Sequence, residues 1–360
     1  MVIKASLLPA IFLLVYGHTL SANKLDSLTH MALGACLGEI TAGKRLGKAA
    51  LLMGAVAGNL PDLDVLAALW LRPAANLLAH RGFTHSFTGI ALVTMLLAFM
   101  MNKWHQRNMQ YRHWVWFIGS QLLLHIVIDA CNAYGTGWWE PFNHTRVSFN
   151  LLFVADPLFA IAPFIATLIL LVKHGSYLRR KPIAAVALSC CLLYVVQAIV
   201  CKAVINTRFN RQLSTIPGNT VQRYFTTPSP FNTWLWYVVA ETGSGYYTGY
   251  MSVFDGKAGM PLHYFPRNNQ LLRGVRDTTE LRHLLRFSKG YYTIVPVENY
   301  FVFNDLRFGQ AGGWYDAAAP FSFHYYIQSP EGNMMVLQRG RFAGWSWPVL
   351  RSLWQRIRGT

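Results

Sequence analysis

Hydrophobic positions in this chain come in long unbroken runs up to about residue 205 and then break into short alternating segments. Residues 5–22 form a first apolar run. Residues 31–43 and 49–60 are shorter stretches rich in Gly and Ala, separated by Lys44, Arg45 and Lys48, and predict a helical hairpin with closely approaching backbones. The runs 86–102, 113–129, 151–172 and 183–203 approach or reach the roughly 17–20 residues that a membrane-crossing helix needs. Beyond residue 205 aromatic and β-branched residues alternate between turn signals. The segments Trp234–Ala240, Tyr246–Phe254, Tyr291–Val297 and Phe321–Gln328 predict strands, bounded by turns such as Thr242-Gly243-Ser244-Gly245 and Asp255-Gly256. A helical insertion is expected at about 278–288.

The pattern predicts an α-helical multi-pass membrane bundle followed by a C-terminal, mostly β soluble domain lying against the membrane. The expected divisions are 1–24, 25–205 and 206–360. Three readings fit residues 1–24: a signal peptide, a short anchor helix, or an over-extended start ahead of Leu25.

Composition supports a membrane protein. Hydrophobic residues make up 53% of the chain and charged residues 13%, against about 25% charged in soluble domains. The net charge of +17 does not point to nucleic acid, because many basic residues sit at the ends of apolar runs and no zinc-finger or basic-aromatic RNA motif is present. Lys44–Lys48, Lys103–Arg112 and Lys173–Lys181 read as cytoplasmic anchors. Walking the chain from them puts the polar clusters below, and residues 206–360, on the periplasmic side of a bacterial inner membrane. The five cysteines form no C-x-x-C pair and suggest neither disulfides nor a thiolate metal site.

Four clusters carry candidate chemistry. His125 and Asp129 are spaced i, i+4 and share a helix face, so that an imidazole and a carboxylate meet the same volume; a plain His–Asp hydrogen bond is the bland alternative. In Gly58-Asn-Leu-Pro-Asp-Leu-Asp64, Asp62 or Asp64 could cap the following helix, but capping explains only one carboxylate. Asp62 is the expected ligand, with Asp64 as ligand, cap or supporting residue. In His80-Arg-Gly-Phe-Thr-His-Ser86, two histidines and Arg81 crowd one loop; Arg81 suits an anionic oxygen or a lipid headgroup, and Thr84 or Ser86 suits a helix cap. In Asp26-Ser-Leu-Thr-His30, Asp26 or Ser27 reads as a cap and His30 faces the same side as the others. Oxygen and imidazole donors without thiolate suit Zn above Mn, Fe or Mg, and more than four donors suggests two ions or more, the arrangement that hydrolyses phosphoesters. Glu140 is a candidate general base, His144 a candidate extra ligand, and Asp156 a helix cap.

These same motifs, with Tyr134-Gly-Thr136, Trp139-Glu-Pro-Phe142 and Ala155-Asp-Pro-Leu158, resemble the YdjM-type family of bacterial membrane-bound metal-dependent hydrolases over about residues 25–250. His80-Arg-Gly-Phe-Thr-His-Ser86 is the most specific piece. The resemblance implies an integral membrane hydrolase with a metal site and gives no substrate. A weaker likeness, in residue order alone, reaches bacterial zinc-dependent phospholipase C, with His30, Asp62, His80 or His85, His125 and Asp129 at the matching positions; no free N-terminal ligand is evident here. Membrane lipids are the expected partners and a lipid or other phosphoester the expected substrate. The competing expectation is an ion or small-molecule transporter, since intramembrane His and Asp also line ion pathways. The sequence gives no oligomeric state.

Overall fold

A computed structural model describes residues 20–104, 109–173, 176–216, 221–256, 259–275, 278–298, 300–328 and 346–359. The readings for residues 1–19 lie outside the described residues.

The first predicted hairpin forms, and its helices differ in length. Helix α1 (Leu20–Leu46) turns at Gly47, which has a φ of +57°, into α2 (Ala49–Ala57). Gly34 and Gly38 face Gly54 and Gly58, two small-xxx-small pairs that let backbones touch. A methyl group on Gly34 would lie 2.3 Å from the Gly54 carbonyl oxygen, and one on Gly54 would lie 2.3 Å from that of Gly34. Any side chain at either position therefore forces the helices apart.

Pro61 then opens a 3-10 helix (Pro61–Leu69), bent by 51° from α2. A short helix α3 (Pro73–Ala79) and a 3-10 turn (Phe83–His85) lead into α4 (Phe87–Trp104) and α5 (Tyr111–Ala130). The run expected at 151–172 becomes helical only at α6 (Pro157–Val172). Its preceding residues stay outside the helix, where the Leu151 and Leu152 N–H groups both donate to the Cys131 carbonyl. Asp156 caps α6 through the Leu158 and Phe159 N–H groups, and the Tyr194 hydroxyl donates to its second oxygen at 2.8 Å.

Helix α7 (Tyr177–Leu213) has 37 residues, about 55 Å at 1.5 Å per residue, against a bilayer core of roughly 30 Å. It runs past the division expected at 205. Its last turns pack Cys201, Ile205 and Phe209 against the first sheet of the C-terminal region. α4 and α7 are long and apolar enough to cross a membrane; α2 with the following 3-10 helix passes only as a broken span, and α6 is shorter. The expected span 113–129 forms α5 but falls short of that apolarity, because Gln121, His125 and Asp129 line its buried face.

α1 is the central helix. It packs through Ala35 and Cys36 against α6 and α7, and through Ala42 toward α5. Large apolar side chains remain exposed along the outer faces: Leu92, Met95, Leu96 and Phe99 on α4, Ile161, Phe164 and Ile165 on α6, Leu192, Leu193 and Val196 on α7. A soluble protein seldom leaves so continuous an apolar belt, and lipid is the solvent it fits. The basic ends of the helices meet at one end of the assembly, where the Arg45 guanidinium lies 3.0 Å from the His113 ring and Lys48 donates to the Leu171 carbonyl at 2.6 Å. Nearby, Arg180 forms a buried ion pair with Glu39.

The C-terminal region holds two antiparallel sheets. The first is a meander, β1 (Arg223–Pro228), β2 (Leu235–Glu241), β3 (Gly245–Ser252) and β4 (His263–Pro266); the second has the order β5 (Tyr292–Val297), β6 (Tyr300–Gln310), β7 (Phe321–Gln328). The four predicted strands and the predicted insertion, α8 (Thr278–Phe287), are present within a few residues; β1, β4, β6 and a last helix α9 (Trp347–Ile357) were not anticipated. β2 is buried on both faces, following the two-residue period of a strand: Trp236, Val238 and Ala240 meet α7, while Leu235, Tyr237 and Val239 meet Leu306, Phe321 and Leu353. α8 and the second sheet share a core with Ala74 of α3 and Tyr134, so this region rests on the loops that carry the polar clusters.

Candidate metal centre

Those clusters converge at the end of the helices opposite the basic residues. α1 brings His30, with Asp26 one turn before it and 3.7 Å away. α5 brings His125, with Asp129 one turn after it and 3.4 Å away. The 3-10 helix after Pro61 brings Asp62 and Asp64 in its first turn, and the loop before α4 brings His80, Arg81 and His85. Neither aspartate caps the 3-10 helix, whose N-cap position is Leu60. Ser86 takes the cap role at α4, accepting from the Gly89 N–H at 2.9 Å.

The protons of two imidazoles follow from their partners. His125 Nδ1 lies 2.7 Å from the Gly58 carbonyl oxygen, which can only accept, so Nδ1 carries a proton and, in the neutral ring, Nε2 bears the lone pair. His85 Nδ1 lies 2.9 Å from Thr84 Oγ1 and 3.2 Å from Asp64 Oδ2. The Thr84 hydroxyl already donates to Asp64 at 2.7 Å, so His85 Nδ1 is the donor there too. Both Nε2 lone pairs then face each other at 3.1 Å. Two nitrogens held that close are satisfied by one shared proton or by a metal ion.

Carboxylates complete the set. His85 Nε2 is 3.5 Å from Asp62 Oδ1 and 3.2 Å from Asp129 Oδ2; His125 Nε2 is 3.5 Å and 3.4 Å from the same oxygens. A tetrahedral ion with bonds of about 2.0–2.1 Å has donor–donor edges of about 3.3–3.4 Å, so these separations fit such a shell. Asp129 Oδ2, fully buried, makes no hydrogen bond. Two further groups adjoin it, Asp26, His30 and Asp129, and Asp62, Asp64 and His80. Asp129 and Asp62 are thus shared between neighbouring groups. The His30 and His125 rings stack at 3.9 Å.

Arg81 is the resident cation. Its Nη2 donates to Asp26 at 2.5 Å, its Nε lies 3.1 Å from Asp129 Oδ2, and its guanidinium sits 5.2 Å over the Tyr134 ring. It is 2% exposed and holds a left-handed φ of +58°, so it is not an anchor at the lipid surface; its charge is spent on the site's own carboxylates. Asp26, Asp62, Asp64 and Asp129 against Arg81 leave three negative charges for protonated imidazoles or metal ions to meet, and charges buried this deeply are stable only when met.

Asp64 holds the loop together. Its Oδ1 receives His80 Nδ1 at 2.7 Å, and its Oδ2 receives the Arg81 N–H at 2.9 Å besides Thr84 and His85. Glu140 and His144 stand apart, bonded to each other at 2.7 Å, with Glu140 also facing Arg286 at 3.5 Å. The sequence reading passed over Asp26 as a ligand, although it stands to His30 as Asp129 stands to His125, one helical turn away. It also passed over Thr84 as more than a cap, the Gly58 carbonyl, and Arg146. Arg146 donates to the Leu78 and His80 carbonyls at 2.7 Å and pins the loop from behind; nothing in the sequence signals a backbone-directed arginine.

Fold and site together define a membrane-helix protein with a buried His/Asp cluster able to hold metal. Residues 25–205 match the family described as YdjM inner membrane protein, and the chain belongs to that family. Inner membrane protein YbcI of Escherichia coli (strain K12) is 30% identical over 139 residues, covering 38% of this chain and 76% of that protein. Uncharacterized protein YfhP of Bacillus subtilis (strain 168) is 26% identical over 145 residues, again 38% of this chain but 44% of that protein. No solved structure matches, and the likeness to phospholipase C remains one of residue order. The family and the apolar helices assign the chain to the bacterial inner membrane.

Proposed function

We propose that this protein is a multi-pass inner-membrane hydrolase that cleaves a phosphoester at a centre of two or more divalent ions, zinc above manganese, iron or magnesium. One observation carries the reading: four donor atoms from three separate segments meet at 3.1–3.5 Å with both imidazole lone pairs directed inward. His85, His125, Asp62 and Asp129 are the first ligand set; Asp26 and His30 extend it through Asp129, and Asp64 and His80 through Asp62. An ion held there supplies Lewis acidity toward water and a phosphoryl oxygen. The chain's own residues do the rest. Gly58 and Asp64 fix the tautomers of His125 and His85, Arg81 holds Asp26 and Asp129 in place, and His80, with Asp62 and Asp26, forms the more open side of the cluster. The helix ends rich in Lys and Arg lie opposite, which favours a periplasmic centre under the positive-inside rule. Glu140 is too committed to His144 and Arg286 to be favoured as the base.

Protein purified in a non-ionic detergent should contain one to three transition-metal ions per chain by mass spectrometry. His125→Ala and Asp129→Ala should lose them, together with cleavage in a screen of phosphomonoesters, phosphodiesters and phospholipids. Metal-free protein that cleaves nothing defeats the reading. The second reading, an ion-conducting protein, is favoured by the low exposure of His30, His85, His125 and Asp129. It predicts zinc flux into proteoliposomes and no hydrolysis.

A further inference from the structure

A second charged site lies behind the loop that carries His80 and Arg81. Asn143, His144, Thr145, Arg146, Arg286 and Lys289 line a cavity of about 440 Å³. The loop after α5 supplies the first four, the last turn of α8 supplies Arg286, and the turn after α8 supplies Lys289. Three permanent or potential cations face one space. The nearby carboxylates are already engaged: Asp305 pairs with Arg307 at 2.6 Å, and Glu140 pairs with His144 and Arg286. Among the described residues no carboxylate pairs with Arg146 or Lys289. Arg146 spends its donors on backbone carbonyls, and Lys289 Nζ reaches only the Arg146 carbonyl at 3.1 Å. Lys289 holds a left-handed φ of +51° in the turn that ends α8. Burial and the guanidinium groups of Arg307 and Arg146 push the Lys289 ammonium down to about 7. Two of the three cations, Arg146 and Lys289, meet no carboxylate among the described residues, and an anion in the cavity would meet them.

We propose that this cavity binds a phosphate-bearing anion. A phosphate offers several acceptor oxygens and up to two charges, which matches the Arg286 guanidinium, the Lys289 ammonium, the charge of Arg146 and the Thr145 and Asn143 polar groups better than a single carboxylate does. Its source is either the headgroup of an anionic lipid or a soluble phosphoester; the recognising chemistry is the same. Because Arg146 bridges from the cavity wall to the His80 carbonyl, occupancy braces the loop of the metal centre. The inference goes beyond the hydrolase reading and does not rest on it.

The test uses the full-length chain in a non-ionic detergent, titrated with inorganic phosphate, with glycerol phosphate, and with micelles doped with phosphatidylglycerol against phosphatidylcholine. Binding is read by calorimetry. In a His125→Ala background, where the metal centre is disabled, Arg286→Gln and Lys289→Met should each still weaken phosphate binding about ten-fold, which separates this site from the metal centre. Binding of the soluble phosphates assigns a soluble phosphoester; binding of phosphatidylglycerol micelles alone assigns a lipid headgroup. Arg286 is about half exposed, so its variant reports even where Lys289→Met does not fold. No binding by any probe, or full binding retained by Arg286→Gln, overturns the proposal.

Discussion

Asp64→Asn is the sharpest test of how the centre is held. The carboxylate accepts His80 Nδ1 on one oxygen and the Arg81 N–H and Thr84 hydroxyl on the other, with His85 Nδ1 beside them. Asparagine keeps the shape and one oxygen. Turned with its oxygen toward the crowded side, it offers an amide N–H₂ to His80, which must then present a lone pair. The remaining bonds change from charge-assisted to neutral, from about 1.5–3 to about 0.5–1.5 kcal/mol each. Because they share one oxygen they do not add fully, and a total near 2–3 kcal/mol is reasonable. Most of that falls on the orientation of His85, so metal affinity should drop about 10- to 100-fold, the usual effect of removing a partner behind a ligand. The assay is competition with a chromophoric zinc chelator in detergent, with thermal unfolding of the apoprotein as the control for folding. Wild-type zinc affinity in a properly folded Asp64→Asn protein would falsify the assignment of Asp64 as the residue that fixes His85.

Three further outcomes are expected. Gly54→Ala pushes a methyl group into the Gly34 carbonyl and should cost about 1–3 kcal/mol by overpacking, seen as a lower thermal transition and weaker zinc retention. Arg180→Leu strands Glu39 in the helix assembly at a cost of about 3–5 kcal/mol, and adding Glu39→Leu should recover most of it; a detergent thermal series on single and double variants decides. Lys289 binds its proton more weakly in the fold, at about 7, than a free lysine. The unfolded chain therefore holds more protons above pH 7, and stability should rise with pH from there toward the free lysine value. Lys289→Met should flatten that rise, measured by unfolding in phosphate-free buffer, and an unchanged pH profile counts against a buried ammonium.

The helices were legible because their apolar runs are long, and the strands with alternating aromatic residues were legible for the same kind of reason. What escaped has local causes. β6 carries Asn304, Asp305 and Arg307 at its centre, which breaks the alternation; the Asp305–Arg307 pair, with Arg307 also donating to the Ala133 carbonyl, makes the burial of those two tolerable. α1 extends back to Leu20, further than the apolar run that signals it. In the site, the i, i+4 rule found His125 with Asp129, and motif density found the loop from His80 to His85. The same rule applied to Asp26 and His30 would have found the second pair, but a cap explained Asp26 too comfortably. Arg81 was expected to meet an outside anion, and the local sequence could not reveal that Asp26 and Asp129, far away along the chain, would claim it first. Glu140 is the one glutamate between α5 and α6, and α8, distant in sequence, brings Arg286 to it.

The bare glycine seam between α1 and α2 has a consequence for the chemistry. Gly58 sits where a methyl group would lie 2.9 Å from the His30 carbonyl oxygen, and its own carbonyl aims His125. The two stacked imidazoles are therefore spaced by backbone resting on backbone, with no deformable side chain between. The seam acts as a gauge block: a slip of one residue along α1 is about 1.5 Å, most of a metal–nitrogen bond length. Changes that loosen the seam should spoil the ligand spacing while the helices remain intact, so the residues with no functional group at all set the tolerance of the site.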